Sequence, residues 1–170
     1  KGENSPDLRN LPIPKRHLLR FPNRALMNFP TIQTGRGCPY HCTFCSVKKV
    51  YGGTYRKRPV EDIIQELRLL WNSKPFYSKM LSSFQDWFLF FLDDNMFANS
   101  QYAKELLIRL RPFKKRWYCQ APISVAKDNE LLKLAKESGC LLLSIGFESV
   151  VQDSITSINK TFNKTDFYDD

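Results

Sequence analysis

Three cysteines inside one short stretch, Cys38-Pro-Tyr-His-Cys42-Thr-Phe-Cys45, constrain this chain more than any other feature. The C-x3-C-x2-C spacing cannot bring three sulfurs near one point on a regular helix or strand. A loop wrapped round a metal centre can. Thiolates are the soft ligands that zinc and iron–sulfur clusters select. A cubane cluster has four irons, so three cysteines would leave one iron without a protein ligand and open to chemistry. A second reading adds His41 or His17 to make a Cys3His zinc site in a basic, nucleic-acid-binding module. Zinc modules, however, usually carry two ligand pairs separated by a longer loop, and no second pair follows Cys45.

Along the chain the elements alternate as a parallel βα barrel requires. Proline-punctuated residues 5–14 read as linker. Phe29–Thr34 is expected as a first strand running into the cysteine loop. Pro59 then opens a helix whose Val60, Ile63, Ile64, Leu67, Leu70 and Trp71 share one apolar face. Residues 73–86 have no clean period and are expected as an inserted loop with a short helix, or a stretch foreign to the fold.

The second strand, Phe88–Leu92, is continuously apolar, as a strand buried on both faces should be. Tyr102, Leu106, Leu107 and Leu110 mark the next helix, stopped by Pro112. Trp117–Ala121 is the third strand. Asp128 caps a helix carrying Leu131, Leu132, Leu134 and Ala135, which ends at Gly139. Cys140–Phe147 is the fourth strand. Strand starts at 88, 117 and 140 approach the roughly 30 residues per unit of a ~250-residue (β/α)8 barrel.

In such a barrel the working face lies at the C-terminal ends of the strands. The cysteines follow strand one, Asp93, Asp94 and Asn95 follow strand two, Gln120 is late in strand three, and Glu148 and Ser149 follow strand four. All four groups point to one rim. The plainer alternative for Asp93-Asp94-Asn95 is a solvated turn with Asn95 as a helix N-cap, and for Glu148 a first-turn helix acid.

Charge is uneven. Residues 1–60 hold 12 Lys and Arg against 2 acids, while residues 61–170 hold 14 against 15. The basic excess (Lys15, Arg16, Arg20, Arg24, Arg36, Lys48, Lys49, Arg56, Lys57 and Arg58) therefore surrounds the cysteine loop. It suits a phosphate or nucleic-acid surface, or side chains that offset an anionic cluster or meet a further domain. The second is favoured, because no aromatic-interleaved RNA-binding motif accompanies the charges. No secretory signal is visible, and the longest apolar run, Trp87–Leu92, has strand length rather than the ~18–20 residues of a membrane span. An odd number of cysteines with a tight triplet argues for a reducing cytoplasm rather than disulfides. Cys119 and Cys140 lie in apolar runs and are expected as buried thiols.

At the cysteine triplet the sequence resembles the radical S-adenosylmethionine (SAM) superfamily. Arg36-Gly-Cys38-Pro-Tyr-His-Cys42, Tyr55-Arg-Lys-Arg58-Pro, Phe91-Leu-Asp93-Asp94-Asn95 and Ile145-Gly-Phe-Glu148-Ser are similar, in order, to blocks of its cobalamin-associated branch. The resemblance implies an α/β fold, an incomplete TIM-type barrel of which about four βα units are present. It also implies that residues 1–28 link to a cobalamin-binding domain and that residues 29–170 begin the barrel.

By the same resemblance, Cys38, Cys42 and Cys45 hold a [4Fe–4S] cluster whose open iron is chelated by SAM, and Phe44 packs near the cluster or adenine. The end of strand two (Asp93, Asp94, Asn95, in place of the commoner Gly-Gly-Glu) handles the methionine amino group. Gln120 contributes from the rim, and Glu148 and Ser149 handle the ribose. One electron, from a donor such as flavodoxin or ferredoxin, cleaves SAM to methionine and a 5′-deoxyadenosyl radical. Methylation, rearrangement or cyclisation of a small-molecule or lipid-like substrate follows, with cobalamin supplied through the further domain. The remaining alternative is a truncated, inactive barrel.

Overall fold

The computed structural model describes residues 7–15, 30–72, 88–160 and 162–163. The irregular stretch 73–86, the basic residues Arg16, Arg20 and Arg24, His17 and Phe29 lie outside them. Leu8, inside the stretch read as linker, is buried.

Four strands form one parallel sheet in the order β1 (Thr31–Ile32), β4 (Phe88–Phe91), β5 (Arg116–Ala121), β6 (Cys140–Ile145). Each strand pairs with the next βα unit's strand, which is the order in which a barrel grows. A short antiparallel ladder, β2 (Gly35–Arg36) with β3 (Arg56–Lys57), lies between the first and second sheet strands. The helices are α1 (Val47–Tyr51), α2 (Val60–Asn72), α3 (Ser100–Leu110), α4 (Asn129–Ser138) and α5 (Gln152–Ser157).

Local chemistry fixes the helix ends. The Asn99 side chain accepts the Tyr102 N–H at 2.9 Å and opens α3, and Asp128 does the same for Leu131 at 2.9 Å in α4. Gly139, at φ 101°, closes α4 in the left-handed conformation and returns its N–H to the carbonyls of Ala135 and Lys136.

One face of the sheet carries Ile32, Leu89, Phe91, Trp117, Cys119 and Ala121 and packs on Ile63, Ile64 and Leu67 of α2, Leu106, Leu107 and Leu110 of α3, and Leu131 and Leu134 of α4. Phe91 meets Trp117 edge-on at 5.5 Å, and the indole N–H reaches the Ser138 carbonyl at 3.1 Å. A large aromatic is thus buried with its polar atom satisfied.

The opposite, inner face differs from expectation. Along Phe88–Phe91 burial alternates, and Leu92 is 58% exposed. Among the described residues the strand is covered by helices on one side only, while the rings of Phe88, Phe90 and Tyr118 pack tilted along the other, with centroids 4.9 and 5.5 Å apart. β6 stops at Ile145, short of Phe147, and Cys140 is half-buried where Cys119 is fully buried. Among the described residues no helix is long and apolar enough to cross a membrane.

Candidate functional site

The cysteine loop is pinched at its neck. In the β2–β3 ladder Gly35 faces Lys57 and Arg36 faces Arg56, so the triplet and α1 project from a closed base. Thr34 sits at that base, fully buried. Its carbonyl accepts the Arg58 N–H at 2.8 Å and lies 3.0 Å from the Tyr102 hydroxyl, which is also 2.8 Å from the Arg58 carbonyl. The Arg58 guanidinium is buried too, donating to Glu66 at 2.7 Å and to the Gln33 carbonyl at 2.8 Å. A buried charge survives only when it is paired and hydrogen-bonded in this way.

The turn after β4 closes on this base. Asp93 is 2% exposed, and its carboxylate accepts from the Thr34 hydroxyl at 2.7 Å, the Gly35 N–H at 2.6 Å and the Thr34 N–H at 3.0 Å. Burial raises its pKa to about 6, although these donors pull the other way. Asp94 accepts the Gly37 N–H at 3.1 Å, and Gly37 itself has φ 85°, a conformation glycine adopts at no steric cost. The Asn95 amide N–H points at the Cys38 sulfur, 3.7 Å away, while its carbonyl oxygen is buried without a partner. The solvated-turn reading of Asp93-Asp94-Asn95 therefore fails. Asp93 and Asn95 are buried, and the α3 cap is Asn99.

A second clasp comes from beyond α5. Asn159 donates to the His41 carbonyl at 3.0 Å, the Thr43 N–H donates to the Ile158 carbonyl at 2.9 Å, and the Tyr40 and Phe162 rings stack at 3.8 Å. Lys160, also buried, donates to Glu148 and to the Gly146 carbonyl, both at 2.8 Å. Asn163 holds the same carbonyl at 3.0 Å. Glu148 is thus tied to Lys160 with φ 64°, and the Ser149 hydroxyl accepts the Val151 N–H at 3.0 Å. Gln120 lies exposed on the inner face opposite Ser144, and Phe44 is 57% exposed. The sequence gives Thr34 and Tyr102 places in a strand and a helix but assigns no site role to them or to Asn159, Lys160 or Asn163. No local pattern marks them, since each acts across a long sequence separation.

All five cysteines are free thiols. Burial raises the Cys42 pKa, with the Lys160 ammonium opposing it. Among the described residues no three His, Cys, Asp or Glu side chains gather as a single metal ion would need. Zinc draws its thiolates to about 2.3 Å from one point, whereas a cubane spreads them over three irons. A three-thiolate loop with a side-chain N–H on one sulfur fits the cluster, because such hydrogen bonds are among the levers that set cluster potential.

A family model described as the Radical SAM superfamily matches residues 32–170. The chain belongs to that superfamily. Its cofactor pair is a [4Fe–4S] cluster and SAM. Among its relatives, bacteriochlorophyllide d C-12(1)-methyltransferase of Chlorobaculum tepidum is 33% identical over 79% of this chain. Hopanoid C-2 methylase of Rhodopseudomonas palustris is 29% identical over 95% of it. The matches span 28% and 29% of those proteins, so this radical SAM chain corresponds to less than a third of either. The structure of the radical SAM methyltransferase TsrM from Kitasatospora setae, with cobalamin and a [4Fe–4S] cluster bound, superposes with a TM-score of 0.63. It is 17% identical and covers 80% of this chain and 26% of that one. At that identity the likeness shows the fold: the open parallel sheet is part of a radical SAM barrel.

Proposed function

We propose that Cys38, Cys42 and Cys45 hold a [4Fe–4S] cluster and that SAM binds beside it, within a methylase acting on a small-molecule or lipid-like substrate. The observation that carries this is Asn95. One end of its amide touches the Cys38 sulfur and the other is a buried acceptor with no donor among the described residues. A buried unpaired carbonyl costs roughly 1–3 kcal/mol, a debt that an ammonium donor removes. Asn95 would accept from the amino group of the methionine moiety, and Asp94, half-buried beside it, would add charge. Asp93 serves from behind by holding Thr34 and Gly35. Gln120, Glu148 and Ser149 would face the nucleoside from the inner rim, with Lys160 fixing Glu148. Bound there, the cluster would supply the electron for reductive cleavage of SAM into methionine and a 5′-deoxyadenosyl radical.

The activities of those two relatives, methylation of a bacteriochlorophyllide and of a hopanoid, support a methyl-transfer outcome on an apolar substrate. The cobalamin bound in TsrM supports cobalamin as the methyl carrier, held by a part of the protein outside residues 29–170, with residues 1–28 leading into the barrel. Free thiols suit a reducing cytoplasm.

Anaerobic reconstitution with iron and sulfide tests the reading. Broad absorption near ~400 nm should appear, vanish in Cys38→Ala, Cys42→Ala and Cys45→Ala, and persist in Cys119→Ala. SAM should perturb the electron paramagnetic resonance signal of the reduced cluster. Asn95→Leu should keep the cluster and lose that perturbation. Tight stoichiometric zinc with no cluster would overturn the proposal.

A further inference from the structure

Lys160 is the one buried lysine among the described residues, and its backbone is fixed on both sides. Its N–H donates to the Ile155 carbonyl at 3.1 Å, and its carbonyl accepts the Asn163 N–H at 2.9 Å. The two residues before it grip the cysteine loop. The Ile158 carbonyl accepts the Thr43 N–H at 2.9 Å, and the Asn159 side chain donates to the His41 carbonyl at 3.0 Å. Both chain neighbours of Cys42 are thus tied to the two residues that precede Lys160. Two residues later Phe162 stacks on Tyr40 at 3.8 Å, and the Lys160 Nζ lies 5.6 Å from the centre of the Phe162 ring. Residues 158–162 therefore run along residues 40–43 and hold the ammonium beside a buried thiol. The Cys42 thiol responds to it, since the ammonium lowers a pKa that burial raises.

Resting on the cluster reading above, we propose that Lys160 sets the reduction potential of that cluster, its ammonium favouring the reduced state electrostatically through Cys42. Uptake of one electron adds negative charge to a cluster–thiolate unit that is already anionic. A cation fixed nearby stabilises the reduced form more than the oxidised one, and net charge around a cluster is a lever on its potential. The electron comes from an external one-electron reductant, and no bond forms or breaks. Glu148 cancels the charge only in part. The Lys160 side chain is 8% exposed and that of Glu148 37%, so water screens the carboxylate end of the pair far more than the ammonium end. Arg58 and Glu66, in contrast, are buried together and offset one another.

Bracing alone does not account for a lysine at this position. Ile158 and Asn159 already clamp both neighbours of Cys42, and Asn163 holds the Gly146 carbonyl independently at 3.0 Å. What Lys160 adds is charge, and a buried ammonium is costly unless an anion offsets it. A reduced cluster is such an anion.

The test is a redox titration of the reconstituted cluster in the full-length protein that contains this chain, with SAM left out. The electron paramagnetic resonance signal of the reduced cluster follows it. At the parent's midpoint potential, the ratio of reduced to oxidised cluster should fall about tenfold in Lys160→Met, which for one electron is a downward shift of about 59 mV. Lys160→Arg keeps the charge and should stay within about threefold of the parent. Glu148→Gln removes the opposing charge and should raise the ratio by about threefold. Opposite signs from two variants that break the same ion pair are a result that loss of bracing cannot produce. A loaded Lys160→Met protein with a parent-like ratio would overturn the proposal. So would a level or lowered ratio in Glu148→Gln, which decides the matter if Lys160→Met does not fold. A parent that takes up no cluster overturns the cluster reading and this inference with it, whereas an unmoved potential in loaded variants overturns the inference alone.

Discussion

At the scale of single residues, the buried Asp93 carboxylate titrates against folding. Its folded pKa of about 6 lies above the ordinary value of 3.8, with burial as the main cause. The native state therefore holds its proton more tightly than the unfolded chain. The stabilising contribution is complete below pH ~4 and is lost as the pH rises through about 6. Asp93→Asn removes that titration. Between pH 4 and 7 the stability of the parent relative to Asp93→Asn should fall by a few kcal/mol at ~1.4 kcal/mol per unit. Urea melts at several pH values measure this, and a pH-independent difference would contradict the assignment. The Tyr102 hydroxyl sits between the Thr34 and Arg58 carbonyls at the same base. Tyr102→Phe should cost about 0.5–1.5 kcal/mol and leave the far-ultraviolet circular dichroism unchanged.

At the scale of elements, α4 carries its own start and stop signals. The Leu131 N–H on Asp128 holds that carboxyl below the usual carboxylate range, and Asp128→Ala should lower stability by about 0.5–2 kcal/mol in urea titrations. Gly139 combines φ 101° with a backbone carbonyl, that of Lys115, where a Cβ would stand. Gly139→Ala should therefore destabilise more than the cap variant, and an equal or smaller effect would show that this turn can relax. Such signals are local, so the capped α4, the proline-opened α2 and the three apolar strands were legible from residue order. The strand ends were less so, because what ends a strand is the loss of a pairing partner. Phe88–Leu92 looks fully buried as a string of apolar residues, yet only the helix-facing side chains are covered.

At the scale of the whole molecule, the sheet runs β1-β4-β5-β6, and β6 pairs with one neighbour among the described residues. Leu141 and Leu142 on it are 61% and 57% exposed. An apolar edge strand templates association, so the 170-residue chain should self-associate by light scattering. Leu142→Lys should shift it toward monomer. A monodisperse parent would mean that this edge is protected. The charge asymmetry also resolves at this scale. Among the described residues, the basic excess of residues 1–60 includes side chains used internally, Arg58 and Arg36 among them, as well as the exposed pair on α1. Composition cannot separate the two groups, because pairing depends on what lies across space.

The sequence alone determined the four parallel strands, the three longer helices that alternate with them and the cysteine triplet. Each depends on residues within a few positions of one another, through periodicity, caps and ligand spacing. Only the tertiary structure decided how the three residues after β4 divide their work. Asp93 is turned back onto Thr34 and Gly35, while Asn95 reaches Cys38. It alone also decided that Asn159, Lys160 and Asn163 brace the loop and the end of β6. Those partners lie between 14 and 118 positions apart in the chain, and only the stacking of the strands brings them within hydrogen-bond distance.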